Sequence, residues 1–253
     1  MFNKIIRLLT VTALLTISII SKAETTIVAV AANFTKPMTD VAELFEKSTG
    51  HSAKLSFGSS GKFVAQIENG APFEVFLSAD DKAPAKLEHS GFAVADSHFT
   101  YAIGKLVLWS ATANLVDDQG EILSKGGFKH IALADPKLAP YGTAAMEVLK
   151  SKNLLTKLTP LFVQGENIAQ TYQFVSTGNA ELGFVALSQV IDNGKITSGS
   201  AWQIPENLYT PLRQEAVLLK IGEVNPAAIA LMQFLKSPEA KAIISKYGYG
   251  LPN

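Results

Sequence analysis

The feature that most narrows the fold of this 253-residue chain is an alternation: short β-branched, apolar stretches are followed repeatedly by amphipathic stretches of helical period. Residues 26–31 read as a buried strand, and Pro37 sits where the first turn of a helix tolerates it, opening a run to Ser48 that Gly50 stops. The pattern repeats with strand 52–57, helix 62–69, strand 73–79 and helix 80–89. It restarts near Tyr101, with strands at 105–110, 131–134, 161–163 and 181–186, a turn at 140–143 leading into a helix to Lys152, and a helix at 168–177. A late strand, 216–221, precedes two helices split at Ser237-Pro238. Strands alternating with helices imply βαβ units and parallel sheets covered on both faces, an α/β fold. The restart and the late strand predict a chain that leaves one lobe and returns to it. The expected architecture is a two-lobed clamp with two hinge crossings, each lobe a mostly parallel sheet flanked by helices: lobe 1 from 24–103 plus 212–253, lobe 2 from 104–211. Ligands in open α/β sheets bind beyond the carboxyl ends of the strands.

Residues 1–23 are not part of that pattern. Lys4 and Arg7 precede an apolar run, 8–20, that ends in Ser21-Lys22-Ala23. This order predicts a secretory signal peptide cut after Ala23, with export to a bacterial periplasm. The run of about 13 residues is short of the roughly 20 that span a bilayer. Cleavage removes three of the 22 cations, Lys4, Arg7 and Lys22, leaving 19 against 22 anions. A mildly acidic chain lacks the basic surface that nucleic acid or anionic lipid demands. The absence of cysteine excludes disulfides, thiolate-held zinc, thiol catalysis and a lipid-modified cysteine.

Four strand-to-helix turns carry small or polar residues that leave backbone N–H groups uncovered: Ala31-Ala32-Asn33, Gly58-Ser59-Ser60-Gly61, Ala139-Pro140-Tyr141-Gly142-Thr143 and Glu166-Asn167-Ile168-Ala169. A helix N-terminus presents unsatisfied donors and about half a positive elementary charge, so convergent ones form an anion site without lysine or arginine. Each turn alone reads equally as an ordinary cap. A donor-only pocket also selects: phosphate near neutral pH keeps a proton that needs an acceptor, whereas sulfate or molybdate presents lone pairs alone. Glu166 and Asp135 must then point away.

Other chemistries have weaker signatures. Ser59-Ser60-Gly61-Lys62 fits Ser-x-x-Lys, and a periplasmic serine hydrolase using Ser59 or Ser60 with Lys62 is the alternative of another class, although its Ser-Asp-Asn and Lys-Thr-Gly partners are missing. A phosphate-binding loop is excluded by Ser56 and Phe63. His51, His89, His98 and His130 lack metal-ligand spacing and read as surface or loop residues. Trp109 and Trp202 read as core.

Val-Ala-Ala-Asn-Phe, Ser-Phe-Gly-Ser-Ser-Gly-Lys, Gly-Ala-Pro-Phe-Glu-Val-Phe-Leu-Ser-Ala-Asp and Gly-Asn-Ala-Glu-Leu-Gly-Phe-Val-Ala-Leu-Ser-Gln resemble the periplasmic molybdate-binding proteins over nearly the whole mature chain. The resemblance implies a non-enzymatic periplasmic binding protein that delivers molybdate, and usually tungstate, to an ABC permease, with no cofactor and no direct metal-ligating side chain. It implies candidate ligands at Asn33, Ser60, Tyr141 and, through a backbone N–H, Ile168, with Ala32 and Ser59 beside them. Some members donate from a tyrosine after the strand 181–185; Ala186 stands there in this chain. The side chains of Tyr141 and Asn33 are expected to supply the replacement donors. A receptor for sulfate or a small organic acid is the other reading of the same clamp. A monomer is expected.

Overall fold

The structure is a computed structural model that describes residues 23–192 and 194–252. All but Ala23 of the expected signal peptide lies outside the described residues. The chain runs β1 (Thr25–Ala31), a 3-10 turn, α1 (Thr35–Thr49), β2 (Ser52–Gly58), α2 (Ser60–Glu68), β3 (Val75–Leu77), α3 (Lys82–His89) and β4 (Phe99–Gly104). It continues through β5 (Leu106–Ser110), α4 (Ile122–Lys125), β6 (Ile131–Ala134), α5 (Pro140–Ser151), α6 (Leu155–Leu158), β7 (Phe162–Gly165), α7 (Ile168–Ser176), β8 (Leu182–Ala186) and α8 (Leu187–Val190). A short hairpin, β9 (Ile191–Asp192) with β10 (Lys195–Ile196), leads to β11 (Ser200–Gln203), β12 (Leu212–Leu218), α9 (Pro226–Phe234) and α10 (Pro238–Lys246).

Two five-stranded sheets result, ordered β2-β1-β3-β12-β4 and β11-β5-β8-β6-β7. In each, four strands run one way and one is reversed. Strand β12 is antiparallel to both β3 and β4, and β5 is antiparallel to both β8 and β11. The expected parallel sheets are therefore mixed, because the reversed strand in each case adjoins a crossing between sheets: β4 passes to β5 through Lys105, and β11 to β12 through residues 204–211. Strands β4 and β11 escaped the sequence reading because neither is followed by an amphipathic helix of the repeating pattern.

Val28, Ala29 and Val30 in β1, and Leu106 to Leu108 in β5, are fully buried, as central strands covered on both faces must be. Helix α1 seats Met38, Val41 and Phe45 on the first sheet at spacings of three and four and closes on Gly50, whose φ of 76° is left-handed. Trp109 and Trp202 are core, as expected. His51 is not on the surface: it is buried, stacked on Phe45, and its Nδ1 accepts the Glu24 N–H at 3.1 Å. Among the described residues no helix is long and apolar enough to cross a membrane.

Candidate anion site

All four turns reach one place. Ala31, Ala32 and Asn33 after β1, Gly58 to Ser60 between β2 and α2, Ala139 to Tyr141 at the start of α5, and Asn167 with Ile168 at the start of α7 line one small cavity between the two sheets. Ala32, Asn33, Ser59, Ser60, Tyr141 and Ile168 are each between 2% and 6% exposed, so a guest there is shielded from water. A larger depression along the outer face of α7 opens to solvent and is lined mainly by that helix's own residues.

The local sequence explains why donors face the cavity. Helix α5 opens with Pro140, which has no N–H, and its first capping bonds run from Gly142 and Thr143 to the Ala139 carbonyl, so the Tyr141 N–H precedes the hydrogen-bonded helix. Gly142 permits this placement: a Cβ there would lie 2.2 Å from the Ala134 carbonyl oxygen at the end of β6. In α7 the Asn167 carbonyl oxygen Oδ1 caps the N–H groups of Ala169 and Gln170 at 3.0 and 3.1 Å, leaving that of Ile168, the first helical residue, outside the cap. In α2 the Ser60 N–H stands at the same first position, and the Gly61 N–H crosses to the Leu138 carbonyl at 2.9 Å, a bond between the sheets.

The two serines differ. Ser60 Oγ accepts the Ala79 N–H at 3.0 Å, which orients the hydroxyl and leaves its hydrogen to donate. Ser59 Oγ is buried with no hydrogen-bond partner among the described residues. The other such atom, Thr26 Oγ1, lies in β1 and does not line the cavity. An unpaired buried hydroxyl costs about 1–3 kcal/mol. Ser59 therefore marks a place where an acceptor belongs.

Neither nearby carboxylate intrudes. Glu166 binds the Lys62 ammonium at 3.0 and 3.2 Å on the exterior, and Asp135 accepts the Lys137 N–H at 2.9 Å. Asp80, next to Ala79, is raised above the usual carboxylate range by burial, against hydrogen bonds from the Ala83 N–H and the Ser78 hydroxyl. Because Lys62 contacts Glu166 and Ser60 contacts Ala79, no general base lies on either serine, and the hydrolase reading has no geometric support. Among the described residues no group of three His, Asp or Glu side chains converges as a metal site.

The side chains of both expected replacement donors meet partners within the protein, Asn33 as donor and Tyr141 as acceptor. Asn33 Nδ2 gives its hydrogens to Gln214 Oε1 at 2.8 Å and Tyr249 Oη at 2.9 Å, and Tyr141 Oη accepts from Gln214 Nε2 at 3.1 Å. The Asn33 carbonyl accepts from Tyr249 Oη and, across the sheets, from Ser188 Oγ, at 2.8 and 2.9 Å. Burial pushes the Tyr249 phenol up to about 12 and those of Tyr101 and Tyr141 well above 10, so the cluster remains neutral. Ala186 sits at the end of β8 with its N–H held by Gln189 Oε1 at 2.9 Å, and it does not line the cavity. Gln214, Tyr249, Tyr101 and Ser188 were missed in the sequence. The one available signal was a glutamine beside a glutamate inside the otherwise strand-like 212–218 run.

A clamp of two mixed α/β sheets with a small, donor-lined cavity between them defines the class. The chain belongs to the bacterial extracellular solute-binding protein family, whose profile matches residues 26–250. It is 59% identical over 224 residues to the molybdate-binding protein ModA of Azotobacter vinelandii, covering 88% of this chain and 89% of that one. It is 54% identical over 223 residues to ModA of Rhodobacter capsulatus, covering 88% and 87%. The solved Azotobacter vinelandii periplasmic molybdate-binding protein superposes with a TM-score of 0.88 at 47% identity, over 90% of this chain and all of that one. These relatives are binding proteins, and this chain is not an enzyme.

Proposed function

We propose that this protein captures molybdate, and tungstate with it, in the periplasm and hands it to the membrane permease of an ABC transporter. Relatives at 54–59% identity that carry the name molybdate-binding protein support the ligand. The observation that carries the chemistry is the convergence of four turns, from both sheets, on one buried cavity that holds an unpaired Ser59 hydroxyl. The proposed ligand set is the backbone N–H groups at Ala32, Asn33, Ser60, Tyr141 and Ile168 with the hydroxyls of Ser59 and Ser60. Helix N-termini supply the compensating charge, so no formal cation is needed. The jaws are residues 24–103 with 212–253, and 104–211. Closure is driven by contacts the anion makes to both jaws at once. The protein acts as a monomer, its two jaws presented together to the permease.

The test is thermal melting with molybdate, tungstate, sulfate and phosphate. A ligand at 100 times its dissociation constant adds about 2.7 kcal/mol to native stability. Molybdate and tungstate are expected to raise the midpoint and phosphate to leave it in place. A shift with sulfate and none with molybdate would replace this reading with that of a sulfate receptor.

A further inference from the structure

We infer that Gln214 is a positioning residue that couples anion capture to jaw closure; this rests on the molybdate reading above. Gln214 is fully buried, on the strand that follows the second crossing. Its Oε1 accepts from Asn33 Nδ2 at 2.8 Å and from Tyr101 Oη at 3.1 Å, and its Nε2 donates to Tyr141 Oη at 3.1 Å. Asn33 belongs to the cavity turn of one sheet and Tyr141 to that of the other. One amide therefore joins both sides of the site, while Tyr101 ties it to β4, the strand that leads into the first crossing.

Three further details favour this role over simple core filling. The ladder between β12 and β4 slips between Gln214 and Glu215, a bulge that re-aims side chains along the strand. Gly104, the last residue before the first crossing, lies beneath the junction: a Cβ there would stand 2.3 Å from Tyr141 Oη and 2.5 Å from Gln214 Nε2. The amide's orientation is also dictated, since Oε1 receives two donors and Nε2 faces a phenol oxygen that burial keeps protonated. The link to Tyr141 belongs to the closed arrangement, in which Gly61 also meets Leu138 and Ser188 meets Asn33. Swinging the jaws apart breaks the Gln214–Tyr141 bond, so Gln214 favours closure once both turns are drawn together by the anion.

A double-mutant cycle read by calorimetric titration with molybdate tests this. Gln214→Leu is expected to weaken molybdate binding about tenfold or more, since it orphans groups on both jaws. Tyr141→Phe weakens it less, and the double variant is expected to be no worse than Gln214→Leu alone, because residues acting through one link are not additive. Tyr101→Phe, which trims the same network inside one jaw, is expected to lower the melting midpoint while leaving affinity within about threefold. Should Gln214→Leu not fold, Gln214→Met replaces it in the same cycle. Additive losses, or unchanged affinity in Gln214→Leu, overturn the coupling role while wild-type binding stands. Absence of molybdate binding by the wild type overturns the parent reading and this one with it.

Discussion

Lys62 Nζ lies 3.0 Å from Glu166 Oε1, joining the first turn of α2 in one sheet's half to the residue before the Asn167 cap of α7 in the other. Both side chains are about half exposed, so the pair straps the rim of the cleft and its cation is neutralised outside the cavity. Exposed pairs of this kind contribute about 0–1 kcal/mol. Lys62→Ala is therefore expected to change molybdate affinity by less than about fivefold. A hundredfold loss by calorimetry would mean that the ammonium is itself a ligand.

Ser59 and Ser60 separate binding from folding. Ser59→Ala removes an unpaired buried hydroxyl, so the ligand-free melting midpoint is expected to hold or rise, while affinity falls about tenfold or more from the loss of a hydrogen bond to a charged guest. Ser60→Ala also strands the Ala79 N–H, at about 1–3 kcal/mol, and is expected to lower both quantities. Paired melts and titrations read the contrast. Equal losses of ligand-free stability in the two variants would contradict it.

Gly104→Ala pushes a methyl group into Tyr141 Oη and Gln214 Nε2. The phenol must shift, and with it the first turn of α5. Weakened molybdate binding is expected, together with a larger radius of gyration by small-angle scattering in the presence of molybdate. A variant that closes and binds as wild type would show that the hinge tolerates the added methyl.

Away from the site, His98 Nδ1 lies 2.8 Å from Glu88 Oε1. The hydrogen bond to Glu88 raises the imidazole above its ordinary value, against some loss of solvation. Burial pushes Glu88 up, but hydrogen bonds from the His98 side chain and from the His98 and Ser97 N–H groups outweigh it and hold the carboxyl low. A raised histidine stabilises fully below its unfolded value of about 6.5, and that contribution fades as pH climbs through the folded value. The depressed Glu88 contributes above its unfolded value and loses that contribution only as pH falls through the folded one. His98→Gln is thus expected to cost most near pH 5.5 and progressively less as pH climbs through the raised folded value. The difference stays under about 1 kcal/mol because the imidazole is over a third exposed. Melting curves across that range check the sign; a gap that widens with pH would contradict it.

The sequence made the βαβ units and the four turns legible because local rules govern them: strand length, proline at a helix start, glycine at its end. Residues 131–134 were read without error for that reason, whereas α5 begins at Pro140, inside the stretch 140–143 that reads as a turn leading into it. Reversed strands, the bulge at Gln214 and the mixed sheets depend on long-range pairing, which no local window contains. The same divide runs through the site. Backbone donors at Ser60, Tyr141 and Ile168 follow from turn position, whereas the capture of Asn33 Nδ2 by Gln214 and Tyr249, respectively 181 and 216 residues distant, does not. His51 illustrates the remaining failure: next to Gly50, it reads as a surface or loop residue, and it does lie in the loop, but Phe45 and Glu24 enclose it there.

The most direct measurement is a crystal structure of the protein grown with molybdate, read for every nitrogen and oxygen within about 3.5 Å of the anion. Backbone N–H groups from turns on both sheets and the hydroxyls of Ser59 and Ser60 are expected to form the shell, with Lys62 still on Glu166. An anion seated against a lysine or arginine side chain, or touching turns from one sheet alone, would contradict the account.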